Sequence, residues 1–290
     1  MKIEKVIFVV GPTASGKTAY SVELAKEIHA EIVSADSMQI YKFMDIGTAK
    51  PTEAERGGIM HHMLDIVYPD QDFSVALYQE MALKKIREIS ARGMRVIVTG
   101  GTGLYINSLI YNISYAKDSM DRRIRSGLEE QARERGNEYI HEKLMEIDPV
   151  AARRIHPNDI KRIIRALEIY TTTGKNTTEQ INRSRTSPPE FEFELIGLDA
   201  DREELRRRID LRVDKMLNAG LEREVRNLLD MGYGGGTAMQ AIGYKELVEY
   251  FKGSISLDEA VQRIKTGTKQ YAKRQMTWFR KTPGIKWLIQ

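Results

Sequence analysis

Two kinds of hydrophobic pattern divide the chain. At its start, Val6-Ile7-Phe8-Val9-Val10 is an unbroken apolar run, the pattern of a strand buried on both faces. Helical spacing follows in Ala19, Val22, Leu24, Ala25 and Ile28, and then a short strand, Glu31-Ile32-Val33-Ser34. An amphipathic helix over about Val75–Ala91 leads through Gly93 into another strand, Arg95-Val96-Ile97-Val98-Thr99. Apolar strands separated by helices predict an α/β fold, a parallel sheet with helices on both faces. Ligands of such sheets sit at the C-terminal strand ends, so the loops after Val10, Ser34 and Thr99 are expected to converge on one site.

From about Ser114 to Pro189 the pattern is charged, helical and almost strandless. One helix is expected through Ile124, Leu128 and Ala132, and another after Pro157-Asn158-Asp159 with Ile160, Ile163, Ile164 and Leu167 facing a core. Gly174 and the stretch 184–189 read as loop and linker. A strand pattern resumes at Phe191–Leu198, so the helical block is read as an insertion into the sheet domain. The expected division is 1–113 with 191–290 as the P-loop core, and 114–190 as an all-helical domain. A long helix is expected over about Arg202–Met231, with Leu205, Ile209, Val213, Leu217 and Leu221 on one stripe. A last strand is expected at Ile285–Ile289.

Composition narrows the class. With 290 residues, 41% apolar and 30% charged, the chain can build one large or two smaller cores. It has no cysteine, which excludes disulfides, thiolate metal sites and a cysteine nucleophile. Met1–Lys5 runs straight into the first strand, leaving no room for a signal peptide, and no apolar run is long enough to span a bilayer. A cytoplasmic protein is expected, with no membrane partner. Net charge is only +4, too small to diagnose a polyanionic partner, so the distribution of charge has to decide.

Chemistry begins where the first strand ends. Gly11-Pro12-Thr13-Ala14-Ser15-Gly16-Lys17-Thr18 fills every position of G-x-x-x-x-G-K-[ST], between a strand and a helix as that motif requires. Loop and helix N–H groups would converge on phosphate oxygens, Lys17 would neutralise them, and the Thr18 hydroxyl would join the shell of a Mg²⁺. Such loops most often bind ATP or GTP, and phosphoryl-transfer enzymes add a carboxylate at the end of an apolar strand to hold the metal. Here the best later strand ends in Thr99-Gly100-Gly101-Thr102, with no carboxylate. The only acid at a strand end beside the loop is Asp36. It can take a proton from an attacking nucleophile, or it can cap its own turn in Ala35-Asp36-Ser37. Thr102 has two readings as well: a helix N-cap, or a hydroxyl that meets a phosphate oxygen. His61-His62 lacks a third ligand nearby and is read as packing or polar contact.

Basic residues gather twice. Arg153, Arg154 and His156 precede a helix carrying Lys161, Arg162 and Arg165, and Lys269–Lys281 mixes five cations with three aromatics and no acid. Cations track phosphates and aromatics stack on bases, so this mixture suits RNA, although one basic helix face is ordinarily solvated surface.

Taken in order, the P-loop, Ser34-Ala35-Asp36-Ser37-Met38-Gln39-Ile40-Tyr41 and Met44-Asp45-Ile46-Gly47-Thr48-Ala49-Lys50-Pro51 closely resemble the tRNA dimethylallyltransferase (tRNA isopentenyltransferase) family. Gly100–Tyr105, Ile155–Asp159, Arg165–Glu168, Ala241–Tyr244, Lys273–Gln275 and Thr277–Phe279 continue the resemblance through nearly the whole chain. It implies a transferase that moves a dimethylallyl group from dimethylallyl diphosphate to N6 of the adenosine 3′ of the anticodon, in tRNAs reading codons that start with U. The loop Gly11–Thr18 would then grip a diphosphate leaving group, which accounts for the missing carboxylate. The resemblance also implies Asp36 as the base for the N6 proton and catalytic roles for Lys17 and Thr102. It places Arg208, and less surely Arg212, on the diphosphate. Asp36, Ser37, Met38, Gln39 and Thr102 would meet the target base, and Arg125 with Lys161, Arg162, Ile163, Ile164 and Arg165 the anticodon stem-loop. Many members carry Gln where this chain has Lys161, so a base-edge contact would become a phosphate contact. Mg²⁺ is the implied cofactor, and a monomer is expected. Two rivals stand beside this reading: a P-loop small-molecule kinase, and a non-catalytic RNA-binding module.

Overall fold

A computed structural model describes residues 5–113, 115, 122–184 and 188–289. Residues 1–4 ahead of the first strand, the expected domain boundary at Ser114, and 185–187 of the expected linker lie outside the described residues. In chain order the elements begin β1 (Val6–Val10), α1 (Lys17–Ile28), β2 (Ala30–Ser34), α2 (Glu53–Arg56), β3 (His61–His62), α3 (Val75–Ala91), β4 (Arg95–Gly100) and α4 (Gly103–Ile110). Five helices follow: α5 (Arg122–Arg135), α6 (Asn137–Ile147), α7 (Pro149–Ala152), α8 (Ile160–Thr173) and α9 (Thr177–Ser184). The chain then runs through β5 (Phe193–Asp199), α10 (Arg202–Asn218), α11 (Leu221–Asp230), α12 (Tyr244–Phe251), α13 (Leu257–Phe279) and β6 (Ile285–Ile289). It divides into two compact units, one of residues 1–106 with 190–290 and one of residues 107–189.

The first unit is a six-stranded sheet in the order β3-β2-β4-β1-β5-β6, every pair parallel. Its strands are apolar throughout because both faces are covered. Val9, Ile32, Ile97 and Leu198 pack with Val22 and Ala25 of α1, while Phe8, Val10, Val33, Val96 and Val98 are equally buried on the opposite face. There α3 lies with Tyr78, Ala82, Ile86 and Ile89 turned inward, and the Tyr78 hydroxyl donates to Ser34 O at 3.1 Å. The pattern gives no hint of β3: two residues are too few for a period, and the strand exists only because Ile32 and Val33 pair with His61 and His62. His62 Nε2 lies 2.6 Å from Glu31 Oε2, a polar contact.

A second core joins the segment after β2 to the C-terminal helices. Ile40, Tyr41 and Met44 are buried with Val213, Leu221, Val225, Leu228, Tyr244, Leu247 and Ile264. Here the expected single helix over 202–231 is corrected. It breaks at Ala219-Gly220, where Gly220 takes a left-handed φ of 100° and starts α11. Leu221, Val225 and Leu228 of α11 pack into this core together with Val213 of α10. Glu224, on the first turn of α11, accepts the N–H groups of Asp45 (2.9 Å), Ile46 (2.7 Å) and Gly47 (3.0 Å) and the Tyr244 hydroxyl (2.6 Å). One carboxylate thereby fixes the loop that runs on from Met44.

The second unit is helical. Ile140 and Leu144 of α6 meet Ile163, Ala166 and Leu167 of α8, with Leu128 and Ala132 of α5 packed against them. Buried Asp148 caps α7, accepting from Ala151 N–H (3.0 Å), and also holds Thr178 N–H (3.0 Å) at the start of α9.

Two glycines give opposite expectations. A Cβ at Gly47 would stand 2.4 Å from the buried Tyr244 ring, whereas one at Gly127 in α5 meets nothing within 4 Å. Gly47→Ala should cost about 1–3 kcal/mol of stability through overpacking. Gly127→Ala should add about 0.5–1 kcal/mol of helix propensity. Urea unfolding of each variant reads both signs.

Candidate active site

The parallel order β2-β4-β1-β5 brings three loops to one end of the sheet. The loop after β1 crosses toward α1 with Ala14 at φ 64° and Gly16 at φ 86°, left-handed turns that aim successive N–H groups inward. At Gly11 a Cβ would lie 2.4 Å from Leu198 O, so only glycine lets the loop leave β1 so close to β5. At the end of β4, Gly100 sits so near the loop after β2 that a Cβ would lie 2.2 Å from Ala35 O. Ala35 N–H donates to Thr99 O (2.7 Å) and Thr102 N–H to Ala35 O (3.1 Å), sealing these two strand ends together.

Around this junction lies an open cavity of about 1190 Å³. Thr13–Thr18, Asp36–Gln39, Thr99–Gly101, Arg208, Arg212, Tyr271 and Gln275 all line it. Lys17 donates to Pro12 O at 2.6 Å. Desolvation by the surrounding protein, assisted by the nearby positive charge of Arg212 and opposed by Asp36, brings its pKa down to about 7. Arg212 is itself held below the usual guanidinium range by burial, with Asp36 pulling the other way. Glu55 also pulls Arg212 upward, yet the cavity lining as a whole carries eight Lys and Arg side chains against four Asp and Glu, an imbalance that a polyanionic ligand would relieve. Ser15 Oγ is buried and has no hydrogen-bond partner among the described residues, a spare hydroxyl inside the anion-binding loop.

Asp36 fills the turn-capping role considered from sequence and also lines the cavity. Its Oδ1 accepts from Met38 N–H (2.9 Å) and Gln39 N–H (3.4 Å), capping its own turn, which leaves Oδ2 to meet a ligand in the cavity. Thr102 differs from a side-chain N-cap. Its hydroxyl oxygen accepts Ser37 N–H (3.0 Å) and lies 3.3 Å from Ser37 Oγ, so it ties the β4 loop to the β2 loop. Gln39 is anchored by Nε2 donating to Thr48 O and Ala49 O (3.3 and 3.1 Å). Arg208 lines the cavity while its Nε donates to Glu204 (2.8 Å); Arg212, one turn on, stands beside Lys17 and Asp36. Thr18 is exposed at the first turn of α1.

In the helical unit the expected cluster separates by burial. Lys161 and Arg162 are exposed, and Arg125 and Arg165 are partly exposed, pairing with buried Glu168 at 3.0 and 3.4 Å. Ile163 and Ile164, at 0% and 2% exposure, turn their side chains into the interior, as their core-facing spacing predicts. The aromatic cluster of α13 is corrected. Phe279 is fully buried and Tyr271 lies in the cavity wall. Trp278, 41% exposed, covers Gly103 so closely that a Cβ there would lie 2.3 Å from its ring.

Sequence reasoning missed Gln275 as a site residue. Its Oε1 accepts Thr13 N–H at 2.8 Å and its Nε2 donates to Gly101 O at 3.0 Å. In the sequence it stands in a basic cluster and in one stretch of the family resemblance, but neither states its role, since the groups it meets are 262 and 174 residues away.

Residues 39–282 match the family model described as IPP transferase. The chain is 54% identical, over 99% of its length and 92% of the relative's, to a protein of Acetivibrio thermocellus named tRNA dimethylallyltransferase. A crystal structure of full-length tRNA isopentenylpyrophosphate transferase from Bacillus halodurans is 43% identical with a TM-score of 0.73, covering 99% of this chain and 90% of that one. A eukaryotic dimethylallyltransferase, solved as snapshots of its action on tRNA, is 32% identical with a TM-score of 0.85, covering 99% and 74%.

The lowered Lys17 pKa sets the sign of a pH effect. An ammonium that loses its proton above about pH 7 in the free protein regains it against a bound phosphate, so binding takes up a proton at higher pH. Affinity for inorganic diphosphate should fall as pH rises above 7, with log Kd gaining up to about one unit per pH unit from this group. Calorimetric titrations of the native protein and Lys17→Met isolate it, because diphosphate's own protonation is common to both.

Proposed function

The chain belongs to the IPP transferase family, and on that premise we propose that it transfers a dimethylallyl group from dimethylallyl diphosphate to N6 of the adenosine 3′ of the anticodon. The acceptors are tRNAs reading codons that start with U, and diphosphate is released. The observation that carries this reading is the composition of the cavity. It is lined by Thr13–Thr18 of the phosphate loop, two desolvated cations and the carboxylate at the end of β2, while β4 ends in Thr99-Gly100 and runs on to Gly101 with no acid. That set suits a diphosphate leaving group better than γ-phosphoryl transfer, which calls for a second metal-holding carboxylate.

The reaction forms a bond from N6 to C1 of the allyl group and breaks the C1–O bond to diphosphate. The exocyclic amine is a weak nucleophile, its lone pair delocalised into the ring. Asp36, through Oδ2, accepts the N6 proton as the C–N bond forms. The electron pair of the broken bond leaves with the diphosphate, whose added charge is met by Lys17, Arg212, the N–H groups of Ala14, Gly16, Lys17 and Thr18, and the Ser15 hydroxyl. Arg208 is one turn from Arg212 and can join them by leaving Glu204. Thr102 and Ser37, bonded to each other, hold the Asp36 turn against the β4 loop and border the space for the base. Met38 and Gln39 lie beside them on the cavity wall. The adenine must leave its stack to enter, which favours a loop nucleotide.

Mg²⁺ fits this donor set. No group of three His, Cys, Asp or Glu residues among the described residues could enclose a metal, so the protein would offer the Thr18 hydroxyl, and diphosphate and water oxygens the rest. Bound there, the ion would supply charge neutralisation to the leaving group. Arg125, Lys161, Arg162 and Arg165 provide the exposed charge of the helical unit for the anticodon stem-loop, where phosphate contacts dominate. The proposed reaction needs one chain, and we take the enzyme to act as a monomer in the cytoplasm. No helix among the described residues is long and apolar enough to cross a membrane.

Radiolabelled dimethylallyl diphosphate, unmodified tRNA and Mg²⁺, without ATP, should yield label on the adenosine next to the anticodon. Hydrolysis of ATP with no label transferred would overturn the reading in favour of a kinase. Asp36→Ala should lower turnover by about 10²–10⁴ while tRNA affinity stays within about twofold, measured by filter binding. Lys161→Ala should weaken tRNA binding and flatten its salt dependence by about one ion, with turnover at saturating tRNA unchanged.

A further inference from the structure

Gln275 sits on α13, far from every motif that marks the phosphate loop, yet it is one of the most buried polar side chains of the site, 5% exposed. Its amide accepts with one atom and donates with the other, so it bonds two loops at once. Oε1 accepts Thr13 N–H, at the centre of the phosphate loop, and Nε2 donates to Gly101 O, one residue before Thr102. The fit is close: a Cβ on Gly101 would lie 2.0 Å from Nε2. One turn earlier, Tyr271 is buried in the same wall, its hydroxyl interacting with the side chains of Thr102 and Gln275 near Asp36. α13 thus touches the leaving-group half and the proton-accepting half of the cavity with consecutive turns.

We propose that Gln275 is a positioning residue that locks the phosphate loop to the β4 loop, setting the distance between the diphosphate and the Thr102–Asp36 end of the site. This rests on the transfer reading above. Its physical basis is that, among the described residues, Thr13 N–H and Gly101 O are both bonded to one rigid amide. Misplacement of reacting groups by a fraction of an ångström to an ångström is enough to slow an in-line displacement strongly. A second consequence is that Thr13 N–H is spent on Gln275, so it is absent from the set of N–H groups offered to phosphate.

Two variants separate this role from a merely structural one. Gln275→Met keeps length and burial but removes both bonds. Turnover should fall about ten- to hundredfold at every pH, with KM for tRNA unchanged. Gln275→Glu as a carboxylate can still accept from Thr13 N–H but faces Gly101 O with no proton. Protonated, it is a near copy of Gln. Its activity relative to the native enzyme should therefore rise as pH falls, approaching the native value once the introduced carboxyl is protonated, while the ratio for Gln275→Met stays flat. Lys17, Asp36, Tyr271 and Arg212, the ionisable groups facing this position, are common to all three proteins and cancel in the ratios. Near-native turnover of a folded Gln275→Met, or a flat ratio for Gln275→Glu, would overturn the proposal.

If the native enzyme transferred nothing to tRNA, the transfer reading would fail on its own. Titration of inorganic diphosphate into the same three proteins would still judge the lock. Affinity about tenfold weaker in Gln275→Met and restored at acid pH in Gln275→Glu is expected. Equal affinity in all three at every pH overturns it.

Discussion

The site depends on how closely the end of β4 approaches the loop after β2. Gly100 lies against Ala35 O at a distance no side chain would permit, and two backbone hydrogen bonds cross between Ala35, Thr99 and Thr102. β4 lies between β1 and β2, and across its end the phosphate loop, which follows β1, and Asp36, which follows β2, line the same cavity. The residues on each side of the close contact are small, and the chemistry is carried by neighbours that have room for side chains.

Electrostatics then decides what such a pocket can accept. Lys17 and Arg212 are each held below their usual pKa by burial, and each is pulled back by Asp36. The cavity lining carries more Lys and Arg than Asp and Glu side chains, so it is short of negative charge and suits an anionic ligand. Asp36 keeps one oxygen on its own turn and leaves the other toward the cavity.

Support for this cluster comes from elements that have no catalytic chemistry. Glu224 gathers three N–H groups of the loop 45–47, whose next residues hold Gln39. Gln275 and Tyr271 reach in from α13. In the helical unit, buried Glu168 plays a comparable part, pairing with Arg125 and Arg165 so that their guanidinium groups are held at the surface and not collapsed on it. Loss of any one of these would leave buried polar groups unpaired, which costs more than the bond itself contributes.

Local pattern determined a great deal. The apolar runs of β1, β4 and β5, the periodicity of α3 and α8, and the phosphate loop between β1 and α1 are legible because each is set by neighbours in the chain. Asp36 and Lys17 could be nominated for the same reason: a strand end and a motif position are local facts. What only the tertiary structure decided involves closure over long separations. Gly220 breaks a stripe that reads as one helix, because the second core needs Leu221 and Val225 turned inward. Phe279 carries the letter of a binding surface but lies in a core. β3, Glu224 and Gln275 acquire their roles from partners 29 to 262 residues away, and no periodicity encodes such a partner. A sequence states which side chains can bond; the packing of the sheet and its helices states which ones meet.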